Sequence, residues 1–150
     1  MNYTVSKIGE GNFSVALPLI KELNQSLSDE VIKKRFLECL DDNYKLLAWT
    51  DGAECLAIVG YRIDIKIFSG KSMYIDNLCV IEPMRSSGLG KAVLNHVEKI
   101  AFDSGCEKCI LDTFTSNTKS HKFYYREGFE VWGFHFVKEL SMQNRVGESL

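Results

Sequence analysis

The junction Arg85-Ser86-Ser87-Gly88-Leu89-Gly90 constrains this chain more than any other stretch. Upstream of it, Met73 to Val80 reads as an apolar strand. Downstream, Leu89, Val93, Val97 and Ile100 recur at three- and four-residue steps, the spacing of an amphipathic helix. A passage from strand to helix through two glycines exposes the first backbone N–H groups of the helix and lets a ligand approach the main chain closely. That end carries partial positive charge and suits a phosphate or pyrophosphate. Arg85 adds a charged, bidentate donor. The hexapeptide reads either as an anion cradle for a nucleotide-like cofactor or as a glycine turn without a ligand.

Two familiar phosphate loops are excluded by spacing. A Walker A loop needs Gly five residues before its Gly-Lys pair and Ser or Thr after it. Here Arg85 holds the first position and Ala92 the last. A dinucleotide fingerprint needs a third glycine where Val93 stands, and no acidic residue follows at the expected distance in a βαβ unit.

Arg85 to Gly90 resembles the R/Q-x-x-G-x-G/A acyl-CoA pyrophosphate loop of the GNAT superfamily of N-acetyltransferases. Leu78-x-Val80 precedes it at the family's distance. Asn117-x-x-Ser120-x-x-Phe123-Tyr124-x-x-x-Gly128-Phe129 resembles the family's N-x-x-A-x-x-x-Y-x-x-x-G-F signature. Together these motifs span about Ser72 to Leu140, and the N-terminal half fits by element order alone.

The resemblance implies an α/β fold: a single-domain, mixed, mostly antiparallel sheet flanked by helices and splayed at the acyl-CoA strand. It implies acetyl-CoA as co-substrate, no metal, and transfer of the acetyl group to a primary amine by direct attack in a ternary complex. The diphosphate would lie on Arg85, Ser86, Ser87, Gly88, Leu89, Gly90 and Lys91. Backbone groups of Leu78, Cys79 and Val80 would pair with the pantetheine arm, and the Val80 N–H would face the thioester oxygen. Tyr124 would protonate the departing thiolate. Asn117 would either cap its helix or bind the pantetheine amide, and Ser120 replaces the usual small Ala. Asp76, two residues before Leu78, stands where many members carry the general base and would share a strand face with Leu78 and Val80. Glu82 and Asp112 are weaker candidates. A catalytically silent acyl-CoA-binding domain and a covalent relative using Cys79 are the competing readings.

Composition bounds the rest. A chain of 150 residues, 45% hydrophobic and 25% charged, is one ordinary globular domain's worth. A net charge of −2 gives no general attraction to nucleic acid or an acidic membrane. The longest apolar runs fall short of a membrane span, and the N-terminus lacks a secretory layout, so the expected location is cytoplasmic. Five cysteines do not form a secreted disulfide framework. Cys106-x-x-Cys109 lacks two further ligands for zinc and reads as packing, with Cys109 buried at a strand start. His96 falls on a helix among polar neighbours.

No linker or repeat divides the chain, so residues 1–140 are expected as one domain and 141–150 as a polar tail. The patterns predict a strand over Tyr3–Ile8, a helix from Asn12 to Asn24 with Pro18 kinking or starting it, and a helix capped by Ser28. Strands follow over Tyr44–Trp49 and Cys55–Ile67, then one ending near Val80. After the helix of the junction come a strand over Cys109–Phe114, a helix over Lys119–Glu127, and an aromatic strand, single or tightly folded back, over Phe129–Leu140. Terminal strands of this kind meet the partner in dimers of the resembling family, which carries a homodimer as an expectation. Asp29, Glu30, Glu38, Asp41 and Asp42 make the first two helices acidic; they either suit a cationic amine acceptor or are solvated helix faces.

Overall fold

The structure is a computed structural model that describes residues 2–141. It contains two compact units, Met1–Asp112 and Thr113–Leu150. The first holds a five-stranded sheet in the order β1-β2-β3-β4-β5, formed by Thr4–Ile8, Lys45–Asp51, Glu54–Lys66, Gly70–Val80 and Lys108–Leu111. The first four strands are antiparallel; β5 joins β4 in parallel. This is the mixed, mostly antiparallel α/β sheet that the sequence predicts.

Helices α1 (Phe13–Leu23) and α2 (Asp29–Asp41) cover one face. Their Phe13, Ala16, Leu19, Ile20, Ile32 and Phe36 bury against Ile8, Leu46, Ala48, Ile58 and Cys79 of the strands. Ser28 caps α2 by accepting from the N–H of Val31 at 3.2 Å. Asn12 precedes α1 but faces backward, accepting from the N–H of Gly9 at 2.7 Å, and α1 runs on both sides of Pro18.

Helix α3 (Leu89–Asp103) covers the opposite face. Its His96 ring stands edge-on to Trp49 at 5.3 Å, and Trp49 follows Ala48, which faces α1 and α2. Successive strand residues point to opposite faces, so α3 is on the other side. His96 therefore has an aromatic neighbour, not only the polar ones expected from sequence. Leu89, Val93, Leu94, Val97 and Ala101 are buried, the stripe that helical spacing predicts.

Two features of β4 prepare the site. Gly60 of β3 pairs with Asn77 while Tyr61 pairs with Ile75, so Asp76 is the extra residue of a β-bulge. In addition, β5 pairs only with Ser72–Ile75. Beyond Ile75 no strand of the described sheet runs along that edge of β4, which is the predicted splay.

The second unit contains α4 (Thr118–Arg126). Asn117 caps it, accepting from the N–H of Ser120 at 3.3 Å. Gly128, at φ +90°, closes it in the left-handed conformation that favours glycine. The expected strand over Phe129–Leu140 is absent: residues 129–141 take no strand among the described residues. Alternation specifies which side chains would share a face, but a strand forms only against a partner ladder, and none for this segment occurs among the described residues. Val131, Phe134, Phe136, Val137 and Leu140 are exposed. The expected strand over Cys109–Phe114 is likewise shorter, ending at Leu111 and leaving Asp112 beyond it. The polar tail expected over 141–150 lies, apart from Ser141, outside the described residues.

Candidate active site

The end of β4 and the start of α3 form one continuous feature of the first unit. Ile81 donates its N–H to the carbonyl of Leu56 in β3 at 2.9 Å. Successive N–H groups alternate between the two edges of a strand, so the N–H and C=O of Val80 point away from β3. They face the edge that β5 has left. The N–H of Val80 is thus turned to that edge, while its carbonyl accepts from the Nε of Arg85 at 2.9 Å.

A short 3-10 turn, Glu82–Met84, then leads into the loop. Ser86 sits at φ +66° and Gly88 at φ +91°, two left-handed residues separated by Ser87. Ser87 holds the bend, its N–H donating to the carbonyl of Met84 at 3.3 Å and its hydroxyl to the same oxygen. No atom lies within 4 Å of where a Cβ on Gly88 would stand, so its surroundings are open. Leu89 is 2% exposed and anchors the first turn of α3 in the core.

Gly88 at the N-cap has no side chain and the first turn holds no acidic residue, while the N–H of Leu89 donates to the Ser87 hydroxyl at 3.4 Å. The first helical donor with an intrahelical partner is Ala92, bonded to the carbonyl of Gly88 at 3.1 Å. The N–H groups of Gly90 and Lys91 precede it, and Lys91 adds an exposed cation. The early N–H groups of a helix, its positive end and an open glycine fit an anionic group such as the diphosphate of coenzyme A.

Arg85 belongs to this loop but is already engaged. Its Nε donates to the carbonyl of Val80 at 2.9 Å, and its Nη2 pairs with the carboxylate of Glu22 on α1. Glu22 carries no motif signal, and only folding brings it here.

Asp76 departs from its expected placement. Because it is the bulge residue, it does not share a face with Leu78 and Val80. Its carboxylate reaches Arg62 of β3, on the same side as Tyr44 and therefore the side of α1 and α2. Burial pushes its carboxyl above the ordinary range, and Arg62 works in the opposite direction. Cys79 is buried within the core on that side, and burial pushes its thiol up to about 11. A thiol so placed is a poor nucleophile. Cys109 is half-buried rather than buried, its thiol also raised to about 11 by burial.

In the second unit, Tyr124 lies on α4 with its ring 5.4 Å from Phe123 and 5.7 Å from Phe129. Burial pushes its phenol up to about 12. Asn117 is occupied as a cap through its side-chain oxygen, and Ser120 is its partner. Among the described residues no group of three or more His, Cys, Asp or Glu side chains is placed to hold a metal ion.

The model of the acetyltransferase (GNAT) family matches residues 16–129. The uncharacterized N-acetyltransferase YhdJ of Bacillus subtilis is 27% identical over 125 residues, covering 82% of this chain and 88% of that protein. The aminoalkylphosphonate N-acetyltransferase of Salmonella typhimurium is 36% identical over 66 residues, covering 44% of this chain and 43% of its own. An integron cassette protein from the mobile metagenome of V. cholerae superposes with a TM-score of 0.82 at 17% identity, over 99% of each chain.

Proposed function

The chain belongs to the GNAT family of acetyltransferases, and from that premise we propose that it acetylates a primary amine by direct attack on acetyl-CoA in a ternary complex. The observation that carries the reading is the open edge of β4 running into the glycine turn and the N-terminal end of α3. An extended pantetheine arm would add to the β4 edge as a short strand does. The diphosphate would then rest on the N–H groups after Gly88, with Arg85 and Lys91 beside it. Bound there, acetyl-CoA supplies an activated acyl group.

The chain's own groups take three roles in this proposal. The N–H of Val80 donates to the carbonyl oxygen as negative charge builds on it, a contribution worth about 3–4 kcal/mol for a well-aimed donor. Tyr124 gives its phenolic proton to the departing thiolate. Burial keeps its phenol protonated at neutral pH, so the proton is present when the thiolate departs. Asp76 takes the proton of the incoming amine, directly or through water. Asn117 keeps its cap and offers only its amide N–H₂ to the pantetheine.

Residues 1–140 form the catalytic domain in this reading. A cytoplasmic setting accords with five free thiols among the described residues. No described helix is long and apolar enough to cross a membrane. The exposed aromatic segment ending at Leu140 would meet a second copy in a homodimer, which sedimentation over a concentration series tests.

The deciding experiment incubates the protein with acetyl-CoA and a panel of primary amines, with the acetylated product read by mass spectrometry. Turnover is expected on at least one amine. Calorimetric binding of CoA without any product would replace the reading by the silent binding domain, and no binding at all would end it.

A further inference from the structure

The bulge at Asp76 is held by Arg62 of β3 and by Asp42 and Tyr44 of the turn between α2 and β2. Arg62 of β3 donates from Nη1 to the Asp76 carboxylate. The same guanidinium donates from Nε to the carbonyl of Asp42 at 3.2 Å, at the end of α2, with the Asp42 carboxylate 3.9 Å away. Its central carbon lies 5.0 Å from the centroid of the Tyr44 ring, a cation–π seat. Tyr44 is buried, and its hydroxyl donates to Oδ1 of Asn77 at 2.7 Å, the residue next to the bulge.

Gly60 makes this seat possible. A Cβ there would stand 1.9 Å from the Tyr44 hydroxyl oxygen. The ring occupies space that any other residue at this position would fill. Gly60 is also the ladder partner of Asn77, so the close approach falls at the bulge itself.

The charges around Asp76 fall into opposing sets. Arg62 favours its ionised form, whereas burial and the carboxylate of Asp112 oppose it. Asp42 and Cys39 act on Arg62 rather than on Asp76, both favouring the charged guanidinium. Tyr44 stays neutral, because burial drives its phenol far above the ordinary value. Among the described residues, Arg62 is the cation that faces this carboxylate on the bulge.

We infer that Arg62 is a positioning residue for Asp76: seated on Tyr44 and fixed to the end of α2, it aims the bulge carboxylate and keeps it ionised for proton transfer from the amine. This rests on Asp76 acting as the proton acceptor, so the test has one readout that needs no turnover.

The carboxyl-carbon NMR signal of Asp76, assigned by its loss in Asp76→Asn, is titrated in the wild type, Arg62→Gln and Arg62→Lys. The acid limb of kcat/KM against pH is measured on the same proteins. Removing a facing cation is expected to raise the carboxyl titration by about 1–3 pH units in Arg62→Gln, with the acid limb moving alike. Arg62→Lys keeps the charge and should return most of that shift. A variant that loses stability while both titrations stay in place would reduce Arg62 to a packing role and overturn the inference. A moved NMR titration with an unmoved acid limb would also overturn it. If the wild type acetylates no amine, the NMR shift alone still supports the clamp, and the failure belongs to the proposed reaction. Should Arg62→Gln fail to fold, Tyr44→Leu removes the seat while leaving the charge, and an unchanged Asp76 titration there overturns the inference.

Discussion

The Nε of Arg85 donates to the carbonyl oxygen of Val80 across 2.9 Å, tying the loop that begins α3 to the last residue of β4. In the proposed reaction these are the diphosphate end and the acyl end of one extended co-substrate. A guanidinium that holds one and touches the other makes the spacing between them a property of the folded chain. The carboxylate of Glu22 fixes the far side of the same group.

Arg85→Ala is expected to weaken CoA binding by about 10- to 100-fold, since hydrogen bonds to a charged group contribute about 1.5–3 kcal/mol and each 1.4 kcal/mol is tenfold. Calorimetry with CoA and with pantetheine separates the effects. The loss should be larger for CoA, which alone carries the diphosphate.

Gly88→Ala meets no steric obstacle, because the space around its Cβ is empty. The cost is the backbone at φ +91°. An alanine held there should lower stability by about 1–2 kcal/mol in denaturant unfolding and weaken CoA binding as the loop shifts.

Tyr124→Phe should lower kcat by about 100-fold or more while leaving CoA affinity close to the wild type, the signature of a lost general acid. A stability effect should appear only in alkali. Burial raises the folded phenol from 10.0 to about 12, so the folded state holds its proton more tightly than the unfolded one. Its contribution is fully present below pH 10 and is lost as pH rises toward 12. The Phe variant should lose less stability over that interval when both are unfolded in denaturant.

Asp76→Asn should lower kcat/KM and abolish the wild-type acid limb. In the wild type, activity rises with pH as the carboxyl ionises, and burial places that rise above the ordinary carboxylate range. A variant as active as the wild type at every pH would transfer the proton to a water relay.

Gly60→Ala should be costlier than a mid-strand glycine replacement normally is. The added carbon would collide with the Tyr44 hydroxyl, so Tyr44 must move and Asn77 loses its donor. A loss of about 1–3 kcal/mol is expected, together with a raised Asp76 titration if the Arg62 seat is displaced.

Local chemistry wrote much of this protein into its sequence. The helical stripe of α3, the Ser28 cap, the hairpin strands, the glycine turn after Arg85 and the Asn117 cap all depend on neighbours within a few residues. Their residue types act through backbone conformation and periodicity, which a linear reading captures. The motif spacing from Leu78 to Gly90 belongs to the same class, because strand end, loop and helix start are contiguous.

Tertiary structure decided what depends on contacts between distant positions. Glu22 meets Arg85 across 63 positions, and Tyr44 meets Asn77 across 33. Nothing local encodes either pairing. Gly60, a glycine inside a strand, was the one available signal of a close approach. The bulge turned Asp76 toward Arg62 and away from the face of Leu78 because ladder register is set by both strands together. For the same reason the aromatic alternation from Phe129 to Leu140 did not make a strand. Side-chain pattern chooses a face, but the hydrogen bonds that define a strand must come from another piece of chain.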